Sequence, residues 1–171
     1  MTTKMNELEN VFKHYCEFTP TTAIYPDAGK HTFLELMYLF LGMHGELQEW
    51  VESNYDEKEA GDVFWYMSHI CRFHNWDLYE IYKSANFMNY RDDDKLPNVF
   101  EGLKKYIRDN THYQPALKEN IRYNLAMIKQ LFNNDDEIIK RILMKNVDKL
   151  TERKNYGVLN GSGESIRERM D

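Results

Sequence analysis

Two acidic pairs at helical spacing, Glu46-x-x-Glu49 and Glu59-x-x-Asp62, are where this sequence could do chemistry. They lie between Thr32 and Ile70, a stretch with eight acids and one lysine, whose net charge of −7 exceeds the −6 of the whole 171-residue chain. Residues three apart on a helix share a face, so each pair presents two carboxylates in one direction. Four carboxylates from neighbouring helices repel one another unless positive charge lies between them, and oxygen ligands of this kind suit a hard divalent cation. With 28 acids in the chain, such a quadruple arises by chance on the order of once, so the flanks carry weight. A solvated acidic stripe would have Lys or Arg four residues on; here those positions are Trp50, Ser53, Val63 and Tyr66. Glu59 has a second reading, because Asp56-x-x-Glu59 also fits a capping box.

A basic counterpart follows late in the chain. Lys140 to Lys154 holds six basic residues and two acids, a net charge of +4, and Asn146, Lys149 and Arg153 fall on one helical face at i, i+3 and i+7. The helix macrodipole favours cations near a helix C-terminus, and Gly157 lies just past the expected end. That accounts for the charge but not for the asparagine in line with it. An acidic metal cluster with a separate Asn/Lys/Arg row is what a metal-bound polyphosphate requires: the metal neutralises one side while ammonium and guanidinium groups grip the other.

The elements that must position these groups are helices. Apolar residues recur at three and four positions and the prolines are confined to 20, 26, 97 and 115, so the chain reads as helical nearly throughout. Expected helices run from about Lys4 to Phe18, His31 to Ser53, after a turn at Asn54–Asp56 to about His74, from Asp77 to before Arg91, Asn98 to Asp109, Pro115 to Phe132, and Asp135 to Arg153. The short turn at Asn54–Asp56 makes the second and third helices antiparallel neighbours, as the carboxylate pairs require. Residues 91–97 read as a surface loop and 155–171 as a loop-like tail. Gly42, Gly45 and Gly61 sit inside the acid-bearing helices, where each costs about 0.5–1 kcal/mol relative to alanine; close packing and room for a ligand are equally open as the reason.

Composition narrows the rest. A length of 171 residues with 42% hydrophobic content and 9 Phe, 12 Tyr and 3 Trp fits a single all-α domain spanning 1–171 and excludes a disordered chain. The acidic balance argues against duplex nucleic acid as a partner. No apolar segment is long enough for a leader or a membrane span, so a cytoplasmic location and no membrane partner are expected. Cys16 and Cys71 stand in no redox or metal spacing and read as reduced core thiols. Trp50 and Trp65 flank the acids, with core packing and base stacking both open. No histidine forms a Glu-x-x-His pair, which argues against a ferritin-like di-iron centre.

Leu41-Gly42-Met43-His44-Gly45-Glu46-Leu47-Gln48-Glu49 followed by Lys58-Glu59-Ala60-Gly61-Asp62-Val63-Phe64-Trp65-Tyr66 closely resembles the two signature helices of the MazG-like all-alpha nucleoside triphosphate pyrophosphohydrolases. Asn146-x-x-Lys149-Leu150-x-x-Arg153 is similar to that family's third element, and Thr22-Ala23-Ile24-Tyr25-Pro26 resembles its lead-in. The match covers residues 20–82 and 142–160. The resemblance implies an antiparallel helical bundle working as a homodimer or higher homo-oligomer. It implies Mg²⁺, with Mn²⁺ as a substitute, held by Glu46, Glu49, Glu59 and Asp62; substrate phosphates held by Asn146, Lys149 and Arg153; and Glu46 or Glu49 as the catalytic acceptor of the water proton. The implied reaction converts a ribo- or deoxyribonucleoside triphosphate to a monophosphate and pyrophosphate. The chain departs from the pattern at Met43-His44, at Gln48, and at Glu52 and Ser53, where many members carry a lysine. It also departs at 86–139, read as an inserted helical pair without a second carboxylate quadruple. Two other readings stay open: a helical-bundle interaction protein without turnover, and a hydrolase of another phosphate ester using the same metal site.

Overall fold

The computed structural model describes residues 6–90 and 98–159. The helix start expected at Lys4, the 91–97 loop and the tail from position 160 lie outside these residues. The described chain is all-α: seven α-helices and two 3₁₀ turns, with no strand among the described residues. It divides into two compact units, one made of the residues up to Leu78 together with those from Asp136 on, the other of Tyr79–Asp135.

The first unit holds α1 (Glu7–Phe18), α2 (Phe33–Glu52), α3 (Glu57–Phe73) and α7 (Asp136–Asn155). Each start has a local cause. Asn6 accepts from the Glu9 N–H at 2.7 Å, Thr32 from the Glu35 N–H at 3.2 Å and Asp56 from the Lys58 N–H at 2.7 Å, so an orphan donor of each first turn is satisfied. α2 starts two residues later than expected because His31 has φ +55°, outside the helical region. Between α2 and α3 the chain turns through Asn54 and Tyr55, at φ +59° and +67°, with the Tyr55 N–H donating to the Trp50 carbonyl at 2.8 Å. The core is built from Phe12 and Tyr15 of α1, Leu36, Leu39 and Met43 of α2, and Phe64, Met67 and Ile70 of α3, all essentially inaccessible to water. Burying each such side chain contributes about 1.5–3 kcal/mol.

Two of the three glycines in the acid-bearing helices mark close approaches. A Cβ on Gly42 would lie 2.1 Å from Cε1 of Tyr66, and one on Gly61 would lie 3.0 Å from Cβ of Asn146. Gly42 therefore lets α3 lay the Tyr66 ring across α2, and Gly61 lets α7 bring Asn146 against α3. A Cβ on Gly45 would meet nothing within 4 Å.

In the second unit, α4 (Leu78–Ser84), which begins with the last residue of the first unit, stops well short of Arg91. Asn86 turns the chain by accepting from the Met88 N–H at 3.0 Å, and Lys129 donates to the Tyr82 and Ala85 carbonyls at 3.3 and 2.9 Å. A 3₁₀ turn at Phe87–Tyr90 follows. α5 (Val99–Asp109) ends at Asn110, whose φ of +53° gives a left-handed cap, and packs on α6 (Gln114–Leu131), which carries Pro115 in its first turn.

The glycines give opposite expectations. Gly42→Ala forces the Tyr66 ring out of place and should destabilise by about 1–3 kcal/mol. Gly45→Ala fills open space on a helix and should stabilise by about 0.5–1 kcal/mol. Urea denaturation of both variants checks the pair, and equal effects would contradict the close approach.

Candidate functional site

A cleft of about 400 Å³ is formed by α2, α3, the end of α7 and the segment that precedes α2. Its lining includes Glu46, Glu49, Lys58, Glu59, Asp62 and Arg153, together with Tyr25, Tyr38, Trp65 and Tyr66. Tyr38 and Glu49 are eleven residues apart on α2, about 16 Å along the axis at 1.5 Å per residue. Tyr38 and Glu49 thus occupy opposite ends, with the Tyr66 ring between them, near enough to Glu46 and Asp62 to feel their charge.

Glu46, Glu49 and Glu59 each offer an oxygen within 4.8 Å of the others. One turn of α2 and the first turn of α3 make this trio, so its geometry follows from the 53–56 reversal. Burial, and then the negative charge of Asp62, Glu49 and Glu59, pushes the Glu46 carboxyl up to about 7, against a smaller opposing pull from Lys149. Glu59 is not spent on its helix start: the Asp56 side chain caps Lys58, and the Asp56 N–H donates to Ser53 Oγ at 3.2 Å. Among the described residues it makes one ion pair, with Lys58 at 3.2 Å.

Asp62, the fourth acid, is held differently. It accepts from Asn146 Nδ2 at 2.9 Å and from Lys149 Nζ, at 2.5 Å to Oδ2. Asn146 is only 3% exposed, and its Oδ1 accepts from the Tyr15 hydroxyl at 2.8 Å. The structure therefore brings three of the four expected metal ligands to one point and ties the fourth to two of the three expected phosphate ligands. Neither Asn146 nor Lys149 lines the cleft; Arg153 does.

The basic row is largely consumed. Lys140 pairs with Glu7 and Glu137, while Arg141 and Lys145 both reach Glu57, whose carboxyl the Arg141 hydrogen bond leads in holding down to about 2. Lys149 is on Asp62. Arg153 makes no ion pair among the described residues and is half-buried in the cleft wall. A guanidinium in that setting recognises an anion with several oxygens.

The two tryptophans separate. Trp50 is 3% exposed and belongs to the core, whereas Trp65 lines the cleft with its indole N–H donating to Thr22 Oγ1 at 2.9 Å. Tyr25 stacks on Tyr38 with ring centroids 4.5 Å apart. Behind them lies Glu35, a residue that sequence reasoning passed over. Its signal was present, since Thr32-x-x-Glu35 before an apolar run is a capping-box pattern.

The donor set fits a hard divalent cation. It consists of oxygens alone, the ligands Mg²⁺ and Mn²⁺ take, and the Glu46 carboxyl is raised by burial first and then by the neighbouring acids, which Lys149 offsets only in part. No family model, curated protein or solved structure matches the chain.

Because the folded Glu46 carboxyl lies above its ordinary 4.5, near 7, its contribution is favourable at low pH and is lost as pH rises between those values. In chelator-treated protein, Glu46→Gln should therefore melt higher than the parent at pH 8 and level with it at pH 4. Asp62→Asn should bring no such gain, because it strands Lys149. Melting curves across that range check the pair, and a gain from Asp62→Asn alone would contradict the assignment.

Proposed function

We propose that this chain is a divalent-cation-dependent nucleoside triphosphate pyrophosphohydrolase with the antiparallel bundle of the MazG-like enzymes. The observation that carries the reading is the convergence of Glu46, Glu49 and Glu59 in a cleft that also exposes the guanidinium of Arg153. An acid trio alone would suit a structural ion. A trio facing an arginine without an ion-pair partner suits an anion that arrives with its cation, and the aromatic end suits a ring-bearing anion.

Glu46, Glu49 and Glu59 hold the ion, Mg²⁺ or Mn²⁺. Bound there, it neutralises the trio and polarises a phosphoryl oxygen. Arg153 holds the phosphate chain and the charge that develops on it. Water attacks the α-phosphorus, its proton passes to Glu46 or Glu49, and the bond from the α-phosphorus to the bridging oxygen breaks. Pyrophosphate leaves with the electron pair and the monophosphate remains. Asn146 acts at one remove by fixing Asp62. Lys149 reaches phosphate, and Asp62 becomes a fourth ligand, only when the two release each other. The base rests among Tyr25, Tyr38, Trp65 and Tyr66.

Pyrophosphate release from each ribo- and deoxyribonucleoside triphosphate, run with Mg²⁺ in ¹⁸O-water, tests the reaction. The label should appear in the monophosphate. Glu49→Gln should abolish release, and Arg153→Met should lower kcat/KM about 10²–10³-fold. No release from any triphosphate, or label in the pyrophosphate, would sink the proposal.

The same reading carries a homo-oligomer. Leu34, Tyr38 and Leu41 form an exposed stripe on α2 at i, i+4 and i+7, with Leu41 67% accessible, an apolar face of the kind that subunits cover. Sedimentation over a concentration series should show self-association weakened by Leu41→Glu; a monomer throughout counts against it.

A further inference from the structure

Glu35 has no part in the reaction just described, yet it is one of the best-held side chains in the unit. It is 4% exposed, and its two oxygens accept from three donors: Oε1 from the Gly29 N–H at 2.6 Å and the Tyr25 hydroxyl at 3.1 Å, Oε2 from the His31 N–H at 2.7 Å. A carboxylate withdrawn from water is tolerated only when its lone pairs are filled in this way. Capping α2 would not require this much. Thr32 already accepts the Glu35 N–H at 3.2 Å, and all three donors lie outside the helix, on the segment that precedes it.

What Glu35 organises is the loop from Tyr25 to His31. Asp27, Gly29 and His31 there have φ of +64°, +75° and +55°, a conformation that non-glycine residues seldom adopt unless something holds them. The loop carries Tyr25 into the cleft wall. There the ring stacks on Tyr38 and sets its edge toward Trp65 at 6.0 Å, with the planes 85° apart. Tyr25 Oη lies between Glu35 Oε1 and His69 Nδ1, the latter at 3.3 Å. His69, 3% exposed, packs on Trp65 with ring centroids 4.2 Å apart. One buried carboxylate is thus linked to Tyr25 directly and to Trp65 through His69.

Resting on the reading that the cleft takes a nucleoside triphosphate, we propose that Glu35 is a positioning residue for base recognition: through Tyr25, buried behind Tyr38, and through His69 behind Trp65, it sets the Tyr38 and Trp65 rings against which the base stacks, and acts on nothing at the phosphate end. A residue that only stabilised the fold would disturb both ends of the cleft together. A positioning residue for the rings disturbs one.

The test compares the best nucleoside triphosphate with methyl triphosphate, which keeps the phosphoanhydride chain and lacks a base, on the parent, Glu35→Gln and Tyr25→Phe. Glu35→Gln should raise KM for the nucleotide about tenfold, within the range that losing a base–aromatic contact produces, with kcat within about twofold and both constants for methyl triphosphate unchanged. Tyr25→Phe keeps the ring and loses only the hydroxyl link, so it should move KM the same way by less. It also decides the matter if Glu35→Gln does not fold. Equal losses on both substrates, or no change on either, overturn the proposal, as does a parent that handles methyl triphosphate as well as the nucleotide. If the parent hydrolyses neither, the reaction falls and calorimetric binding of the free nucleosides decides: parent binding that both variants weaken supports the subsite, and no parent binding overturns it.

Discussion

The hydroxyl of Tyr15 is where α1, α3 and α7 meet. Buried completely, it donates to Oδ1 of Asn146 at 2.8 Å and lies 3.2 Å from the carbonyl of Gly61. Asn146 turns its amide to Asp62, and the missing side chain at Gly61 is what lets α7 come this near. A buried polar contact of this kind is costly when incomplete, so it holds the helices in one register. That register carries Arg153, two turns further along α7, to the cleft, and it fixes the α3 turn that bears Glu59 and Asp62. Substitutions at Tyr15 or Gly61 act on the site through this contact, without touching the cleft.

Charge is shared unequally among the four acids. Asp62 is compensated by Lys149 and Asn146, whereas among the described residues the glutamate trio has one ion pair, Lys58 on Glu59, and a weaker pull from Lys149 on Glu46. The fold gathers charge at one place and leaves it unbalanced there, at a cost met by the apolar core of α1, α2 and α3. The basic face of α7 behaves in the opposite way: Arg141 and Lys145 are spent on Glu57, tying α7 to the start of α3, and Lys140 is spent on Glu7 and Glu137. Among the described residues, what remains is a trio paired only at Glu59 and a guanidinium without an ion pair in the same cleft, the charge pattern on which the proposed cation-bound polyphosphate rests.

The helices were legible because the apolar period is strong in α1, α3, α5 and α6, and the caps Thr32 and Asp56 are residue types that favour helix starts. α4 was overextended because its end depends on Lys129, forty-five residues beyond Ser84, which no local pattern reveals. The glutamate trio followed from spacing alone, since facing turns of two connected helices have little freedom. The partition of Asn146, Lys149 and Arg153 did not. One helical face put them together, and only the depth of α7 against Gly61 decides that Asn146 is buried while Arg153 reaches the cleft. Glu59 could be read as cap or ligand until the Asp56 side chain was seen to serve the cap itself. Glu35 was hidden for another reason: its partners are backbone N–H groups of a loop whose positive φ values no residue type there announces apart from Gly29.

On the proposed reading, cation and phosphate chain bind together, with carboxylates on one side and Arg153 on the other. Calorimetric titration with an α,β-methylene nucleoside triphosphate, which cannot be cleaved at the α–β bridge, measures this directly with Mg²⁺ and with chelator. Binding should depend on Mg²⁺, and either Glu49→Gln or Arg153→Met should weaken it at least tenfold. Binding that is indifferent to Mg²⁺, or unchanged in both variants, would contradict it.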